Sequence, residues 1–513
     1  MTARPDIVLL VLDTQRVDRL SCYGNQLEIS PRIDELAADS TLFRHAVSTA
    51  QWTVPSHASM FTGLYPSSHT MFHASSVLPS SLTTLAERLS ANHYITTAYC
   101  NNPLLGVVNN GLRRGFDSFL NYSGWMTSHP NQIGGQQHLF DRYRKHFKRF
   151  LANAITGIQD IFARSDFMLD FSFSPLMVPL WQTALSFKGN TAKSLNDAAE
   201  LLIRRKGVPE GQPIFSFINL MGTHMPYHPP KRFVERFAPH VLQDKTAQHY
   251  LRRFNGDVFG WLAPLTGTID AKEKATLDGM YNAEVANQDE QVGAFLDKLR
   301  ASGQLDRTFF IVCADHGEHL GEKELMGHSI SLYNELVHVP LFIRDPAGDL
   351  PRSTIVEPTT STRRIFHTIL TTAGIATETE RALTLAQKNV HADPIDTIVY
   401  SEGITPQNAL TLLERRRPDL VRKAYLSSPR YTIWSDRYKF IQTGEDQTEL
   451  YDFFDDPGET LNLRDILPEQ VESMQEQLQA FIQHNEVGTS NTEIDPYNDP
   501  QVYHRLRNLG YLE

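Results

Sequence analysis

Short apolar runs that end at a polar residue punctuate this chain. Ile7-Val8-Leu9-Leu10-Val11-Leu12 stops at Asp13, Tyr94 to Tyr99 runs toward Asn101, Ile214 to Leu220 leads into Gly222-Thr223-His224, and Thr308 to Ala314 stops at Asp315. Apolar residues at consecutive positions over this length predict strands buried on both faces, as in a parallel sheet. Between these runs the pattern lengthens to that of helices. Ser30-Pro31 supplies a cap and a first helical residue for a helix over Arg32 to Ser40, and Pro55-Ser56 opens another. Thr83 to Asn92 reads as a third helix and Ala271 to Ala301 as a long fourth. The alternation predicts the α/β class: a mostly parallel sheet flanked by helices, with its site at the carboxyl ends of the strands.

Two stretches depart from that pattern. Tyr431 to Trp434 and Tyr438 to Ile441 flank Ser435-Asp436-Arg437, a hairpin pattern. The α/β domain is therefore expected over residues 1–389, and a small C-terminal α+β subdomain with an antiparallel sheet over 390–513. Residues 127–206 read as an insertion, with a basic stretch from Arg142 to Arg149 and an aromatic, apolar patch from Phe167 to Phe187. Pro175 and Pro179 exclude one continuous helix there. Two readings stand: the insertion packs on the core, or it is a lid or interface for an apolar substrate tail, a membrane surface or a second copy in a homo-oligomer.

Composition narrows the function classes. With 41% hydrophobic and 21% charged residues among 513, the chain is that of an ordinary globular protein. A net charge of −11 argues against nucleic acid as partner, since such binding needs a basic face. Cys22, Cys100 and Cys313 are few, odd in number and far apart, which suits a reducing compartment. The apolar run at the N-terminus is too short for a signal peptide, and no segment reaches the roughly 18 apolar residues of a membrane span. A cytoplasmic protein is expected.

The candidate chemistry sits at the strand ends. Asp13 suits either a metal ligand or a helix cap. Asp315-His316-Gly317 places a carboxylate beside an imidazole at a strand end, followed by a residue that lets the chain turn. Thr53 precedes a helix N-terminus, where exposed N–H groups favour anions. Its hydroxyl is a weak nucleophile without a base or a metal, and Asp13, Asp315 and His316 offer the second. His224 and His328 lie in loops, and each suits either solvent or the oxygens of a transferred group. Glu318, His319 and Glu322 read as supporting residues.

The segments Asp13-Thr14-Gln15-Arg16-Val17-Asp18, Thr53-Val54-Pro55-Ser56-His57, Ala58 to Pro66, Asp315-His316-Gly317-Glu318 and Glu449-Leu450-Tyr451-Asp452 together resemble the sulfatase branch of the alkaline-phosphatase superfamily. The resemblance implies that fold and one divalent metal ion held by Asp13, Asp315, His316 and the nucleophile Thr53. It further implies that His224 and His328 are catalytic, and that His57, Tyr99 and Asn101 contact substrate. Manganese or calcium suits the donor set, with zinc as an alternative. Where sulfatases carry a Cys or Ser converted to formylglycine this chain has Thr53, and His57 stands where the modifying enzyme expects Arg. No formylglycine is expected. The Asp-His pair with an unmodified Thr is more similar to lipoteichoic acid synthases and phosphoethanolamine transferases, and the pair itself resembles that of phosphonate monoester hydrolases. A threonine ester must be cleaved by a second nucleophile, which favours phosphoester over sulfate chemistry. A sulfatase using Thr53 or metal-activated water is the alternative, and an inactive binding protein on the same fold is a third reading. The organic part of the small anionic ester stays open.

Overall fold

Strand β1 (Asp6–Leu12) runs through the middle of the sheet, and its sequence explains the position. Ile7, Leu9 and Val11 point into one apolar cluster while Val8, Leu10 and Leu12 point into another, all fully buried. A strand apolar on both faces gains about 1.5–3 kcal/mol for each large side chain taken from water, and only a central position covers both faces. The computed structural model describes residues 4–106, 108–123, 131–132, 188–256, 267–386 and 398–485.

The main sheet has nine strands. In chain order they are β1, β2 (Thr41–Phe43), β3 (Ile95–Cys100), β4 (Ser118–Asn121), β5 (Asn131–Gln132), β6 (Ile214–Leu220), β7 (Thr308–Cys313), β8 (Leu341–Arg344) and β9 (Thr354–Val356). Across the sheet they lie in the order β9-β2-β8-β7-β1-β6-β3-β4-β5. The five strands β7, β1, β6, β3 and β4 are mutually parallel, and antiparallel pairs flank them on both sides. Asp13, Asn101, His224 and Asp315 thus emerge together at one edge, because they follow parallel neighbours in matched register.

Helices cover both faces. On one side α1 (Pro31–Ala38), α3 (Thr191–Arg204) and α4 (Ala271–Ala301) pack over Val8, Leu10 and Leu12. On the other, α2 (Thr53–Thr62) and α5 (Arg364–Thr372) cover Ile7, Leu9 and Val11. Asp270 and Glu273 form a capping box that starts α4 where the sequence places it. Helix α3 falls inside the stretch read as an insertion, yet Leu195, Ala198, Ala199 and Leu202 are part of the core, so this end of the stretch is core structure. The aromatic patch, and with it the lid and interface readings, lies outside the described residues. Helix α2 begins at Thr53 rather than at Pro55-Ser56, which puts Thr53 in its first turn. Among the described residues no helix is long and apolar enough to cross a membrane.

A second sheet, β10 (Ile398–Gly403), β11 (Arg430–Ser435), β12 (Tyr438–Thr443) and β13 (Gln447–Asp452), is a consecutive antiparallel meander backed by α6 (Pro468–Asn485). The hairpin read around Ser435-Asp436-Arg437 joins β11 to β12. Val399, Trp434 and Phe453 pack with Val47, Leu332, Leu336 and Val337, which seats this sheet beside the loops at the carboxyl edge of the main one.

Candidate active site

Asp13, Asp315 and His316 come from two adjacent parallel strands, and each offers a ligand atom within 4.8 Å of the others. All three are completely buried. Asp13 Oδ2 accepts hydrogen bonds from Asn102 Nδ2 at 2.8 Å and Asn219 Nδ2 at 3.2 Å. Asp315 Oδ1 accepts from the backbone N–H groups of His316 at 2.9 Å and Thr14 at 3.2 Å. One oxygen of each acid is thereby fixed. The other two, Asp13 Oδ1 and Asp315 Oδ2, are buried and accept no hydrogen bond among the described residues. Burial, and then the charge of Asp13, push the Asp315 carboxyl well above its ordinary range. Two buried acids with paired outer oxygens and unpaired inner ones are costly unless a cation joins them.

The imidazole completes the donor set. His316 Nδ1 donates to the carbonyl of Gly317 at 2.9 Å, so the lone pair of Nε2 faces the acids, 3.4 Å from Asp315 Oδ2 and 4.0 Å from Asp13 Oδ1. Burial, with His328 nearby, holds this ring well below its usual pKa and therefore neutral. Two carboxylate oxygens and a neutral imidazole suit a divalent ion of the manganese, calcium or zinc kind. Gly317 serves close approach rather than a left-handed turn: a Cβ there would lie 2.0 Å from the carbonyl oxygen of Glu335.

Thr53 reaches this group from the first turn of α2. Its Oγ1 is 3.3 Å from His316 Nε2, close enough to donate to it, and the residue is fully buried at the positive end of α2. Ser48 and Ser56 tie the same turn to the strand end by donating to the Asp315 carbonyl at 2.5 and 2.8 Å.

Two more imidazoles adjoin the cluster. The ring of His328 lies 4.6 Å from that of His316 and 5.1 Å from that of His224. His328 Nδ1 donates to Glu318 Oε1 at 2.7 Å. Burial works to lower its pKa, but the charge and hydrogen bond of Glu318, together with the charge of Asp13, raise it overall. His224 Nδ1 donates to the Met225 carbonyl at 2.6 Å, and burial followed by the charge of His328 lowers its pKa. Of these three rings, His328 is the one whose pKa is raised.

The remaining expected contacts fall differently. His57 donates from Nδ1 to the carbonyl of Thr53 at 2.9 Å, and its ring packs edge-on to Phe61 and Phe217. Burial lowers its pKa to about 4, so it supplies no positive charge beside Thr53. Tyr99 is placed in the apolar core with Tyr122 and Leu195 beneath α3, because its strand position points away from the face that carries Cys100. Asn101 Nδ2 donates to Thr191 Oγ1 at 3.1 Å, whereas its neighbour Asn102 reaches Asp13. Sequence reading passed over Asn102, Asn219 and the pairing of Glu318 with His328. Position offered a signal for the first two, a strand-end Asn beside a strand-end Asp, but nothing local announced the third.

Comparison with known proteins bears on the family and the fold. The Sulfatase family model matches residues 5–375. An arylsulfatase of Clostridium perfringens is 24% identical over 385 residues, 73% of this chain and 76% of its own. The multifunctional alkaline phosphatase superfamily protein PehA of Trinickia caryophylli is 23% identical over 419 residues, 74% of this chain and 75% of its own. Among solved structures, the phosphonate monoester hydrolase of Agrobacterium radiobacter superposes with a TM-score of 0.64 at 20% identity, covering 94% of this chain and 96% of the other. With its strand-end acids, its helix-borne hydroxyl and a family match across nearly three-quarters of its length, this chain belongs to the sulfatase family.

Proposed function

We propose that this member of a family of ester hydrolases cleaves a phosphoester by double displacement through Thr53. The observation that carries the reading is the Thr53 hydroxyl, 3.3 Å from His316 Nε2 and beside the unpaired oxygens of Asp13 and Asp315. Oxidation of threonine, a secondary alcohol, gives a ketone rather than an aldehyde, so the formylglycine route is closed at this position. Asp13, Asp315 and His316 would hold one divalent ion, which when bound neutralises the two acids and draws electron density from the ester oxygens.

In the first step Thr53 gives its hydroxyl proton to solvent and Oγ1 forms a bond to phosphorus while the bond to the leaving oxygen breaks. The N-terminal N–H groups of α2 face the accumulating negative charge. His328, kept basic by Glu318, supplies the proton that the leaving oxygen needs. In the second step water or an alcohol attacks phosphorus in line and gives its proton to His328, the bond from phosphorus to Thr53 Oγ1 breaks, and Thr53 regains its proton from solvent. The neutral state of His57 leaves less positive charge for the substrate than an arginine would.

Hydrolysis of a sulfate ester by the same unmodified Thr53 is the second reading, favoured by the likeness to an enzyme named for arylsulfates. Peptide mass spectrometry of Thr53 after brief incubation with manganese or calcium and matched phosphate and sulfate esters separates the two. A phosphate-sized adduct supports the proposal, and a sulfate-sized adduct replaces it. Turnover with no adduct on Thr53 rejects the threonine nucleophile altogether.

A further inference from the structure

The segment that delivers Thr53 is bound by elements far away in sequence. Ser329, which follows His328, donates its backbone N–H to the Gln51 carbonyl at 3.2 Å. The Gln51 side chain returns the contact, with Nε2 donating to the Ser329 carbonyl at 3.3 Å. The same nitrogen donates to the carbonyl of Ile404, just past β10, at 3.1 Å. Around it, the backbone N–H of Glu402 donates to the Thr49 carbonyl at 2.9 Å and the Ser401 hydroxyl to the Ser48 carbonyl. Gln51 is only 2% exposed, so water does not replace these bonds if they are lost. One amide therefore joins the nucleophile's segment, the His328 loop and the C-terminal sheet.

Gly403 presses on that amide from the sheet side. A Cβ there would stand 3.0 Å from Gln51 Oε1 and 3.1 Å from both Cδ and Nε2. A methyl at 403 would thus push directly on the Gln51 amide, and it would do so from the other sheet.

We infer that Gln51 is a positioning residue through which the C-terminal sheet sets the spacing between Thr53 and His328. The inference rests on the reading of Thr53 as nucleophile and of His328 as proton carrier. Spacing of this kind matters because a displacement of about 1 Å between reacting groups costs up to about a hundredfold in rate.

The test uses full-length Gln51→Met, Gly403→Ala and the double variant, with bis-p-nitrophenyl phosphate and p-nitrophenyl sulfate as probes. Manganese affinity by calorimetry, steady-state kcat and KM, and the rate of Thr53 labelling are measured on each. Each single variant is expected to lower kcat about tenfold while KM and manganese affinity stay within about twofold. The double variant is expected to be no slower than the slower single one, because both changes act on one amide. Wild-type kcat in Gly403→Ala, losses that multiply in the double variant, or a fall in manganese affinity that tracks the fall in rate would each overturn the inference. If the wild type turns over with no label on Thr53, the nucleophile assignment fails and the inference with it, whereas a labelled Thr53 with wild-type kcat in Gly403→Ala overturns the inference alone.

Discussion

Two buried carboxylate sites in this protein are closed in opposite ways. Glu459 and Lys439 have fully buried side chains, with Nζ 2.5 Å from Glu459 Oε1, 3.0 Å from Asn334 Oδ1 and 4.8 Å from the centre of the Trp434 ring. The backbone N–H of Asn334 donates to the other Glu459 oxygen at 2.7 Å. That acid brings its own cation, and the pair fastens the loop after His328 to the C-terminal sheet. Asp13 and Asp315 are as deeply buried, yet among the described residues the basic groups within 4.0 Å of them are the imidazoles of His57 and His316, both with lowered pKa. Burial without an internal cation is tolerated where a cation comes from outside. The first arrangement is a joint and the second is a site.

Substitutions that treat the two sites alike should therefore give opposite results. Asp315→Asn keeps the oxygen that accepts from Thr14 and His316 but removes a charge, and activity on any ester the enzyme cleaves is expected to fall by about a hundredfold to a thousandfold. In metal-free protein the same change should raise the melting temperature, because an amide is buried without the cost of holding a carboxyl protonated beside Asp13. A metal-free melting temperature below that of the wild type would break the contrast. Lys439→Met strands Glu459, and a loss of about 3–5 kcal/mol is expected from chemical denaturation. Adding Glu459→Leu should restore most of that loss, since an apolar pair of similar volume removes both charges together.

Metal alone sharpens the contrast further. Manganese or calcium at about a hundred times its dissociation constant should stabilise the wild type by about 2.7 kcal/mol, and a chelator should remove the gain. Lys439→Met should keep this increment and Asp315→Asn should lose most of it. An equal increment in both would mean that the ion binds elsewhere.

The smallest effect concerns an acid with neither lysine nor metal. Glu402 accepts from the Ser67 backbone N–H at 2.6 Å and from its hydroxyl at 2.8 Å, and burial raises its pKa to about 7. A carboxyl whose pKa is raised on folding contributes stability fully below its unfolded value, near 4.5, and loses that contribution as the pH rises through about 7. Glu402→Gln should therefore melt higher than the wild type at pH 8, by on the order of 1 kcal/mol, with no advantage at pH 5. A pH-independent difference would show that the carboxyl does not titrate in the folded protein.

Much of the site was legible because parallel strands obey a local rule. Asp13, Asp315 and His316 each follow an apolar run, and strands of that kind end at one edge of the sheet, so their convergence follows from register. Thr53 was legible from the helix that follows it, although the helix begins two residues earlier than its proline suggested. Tyr99 lies in the core beneath α3 for a simple reason: side chains alternate across a strand, and proximity along the chain to Asn101 says nothing about which face a residue takes. Asn102 rather than Asn101 reaches Asp13 on the same ground, one residue of phase. The cores of the strands and of the long helix α4 were recovered closely because periodicity carries them.

By itself, then, the order of residues determined the elements, the α/β class and the identity of the chemical groups at the strand ends, since apolar period and capping act over a few neighbouring positions. Tertiary structure alone decided how those groups are paired. His328 meets Glu318 across a turn, Gln51 reaches Ile404 beyond β10, and the charge of Glu459, in the loop after β13, is met by Lys439 of β12. Hydrogen bonds and ion pairs act over about 3 Å whatever the separation along the chain, so only the folded arrangement selects which partners meet.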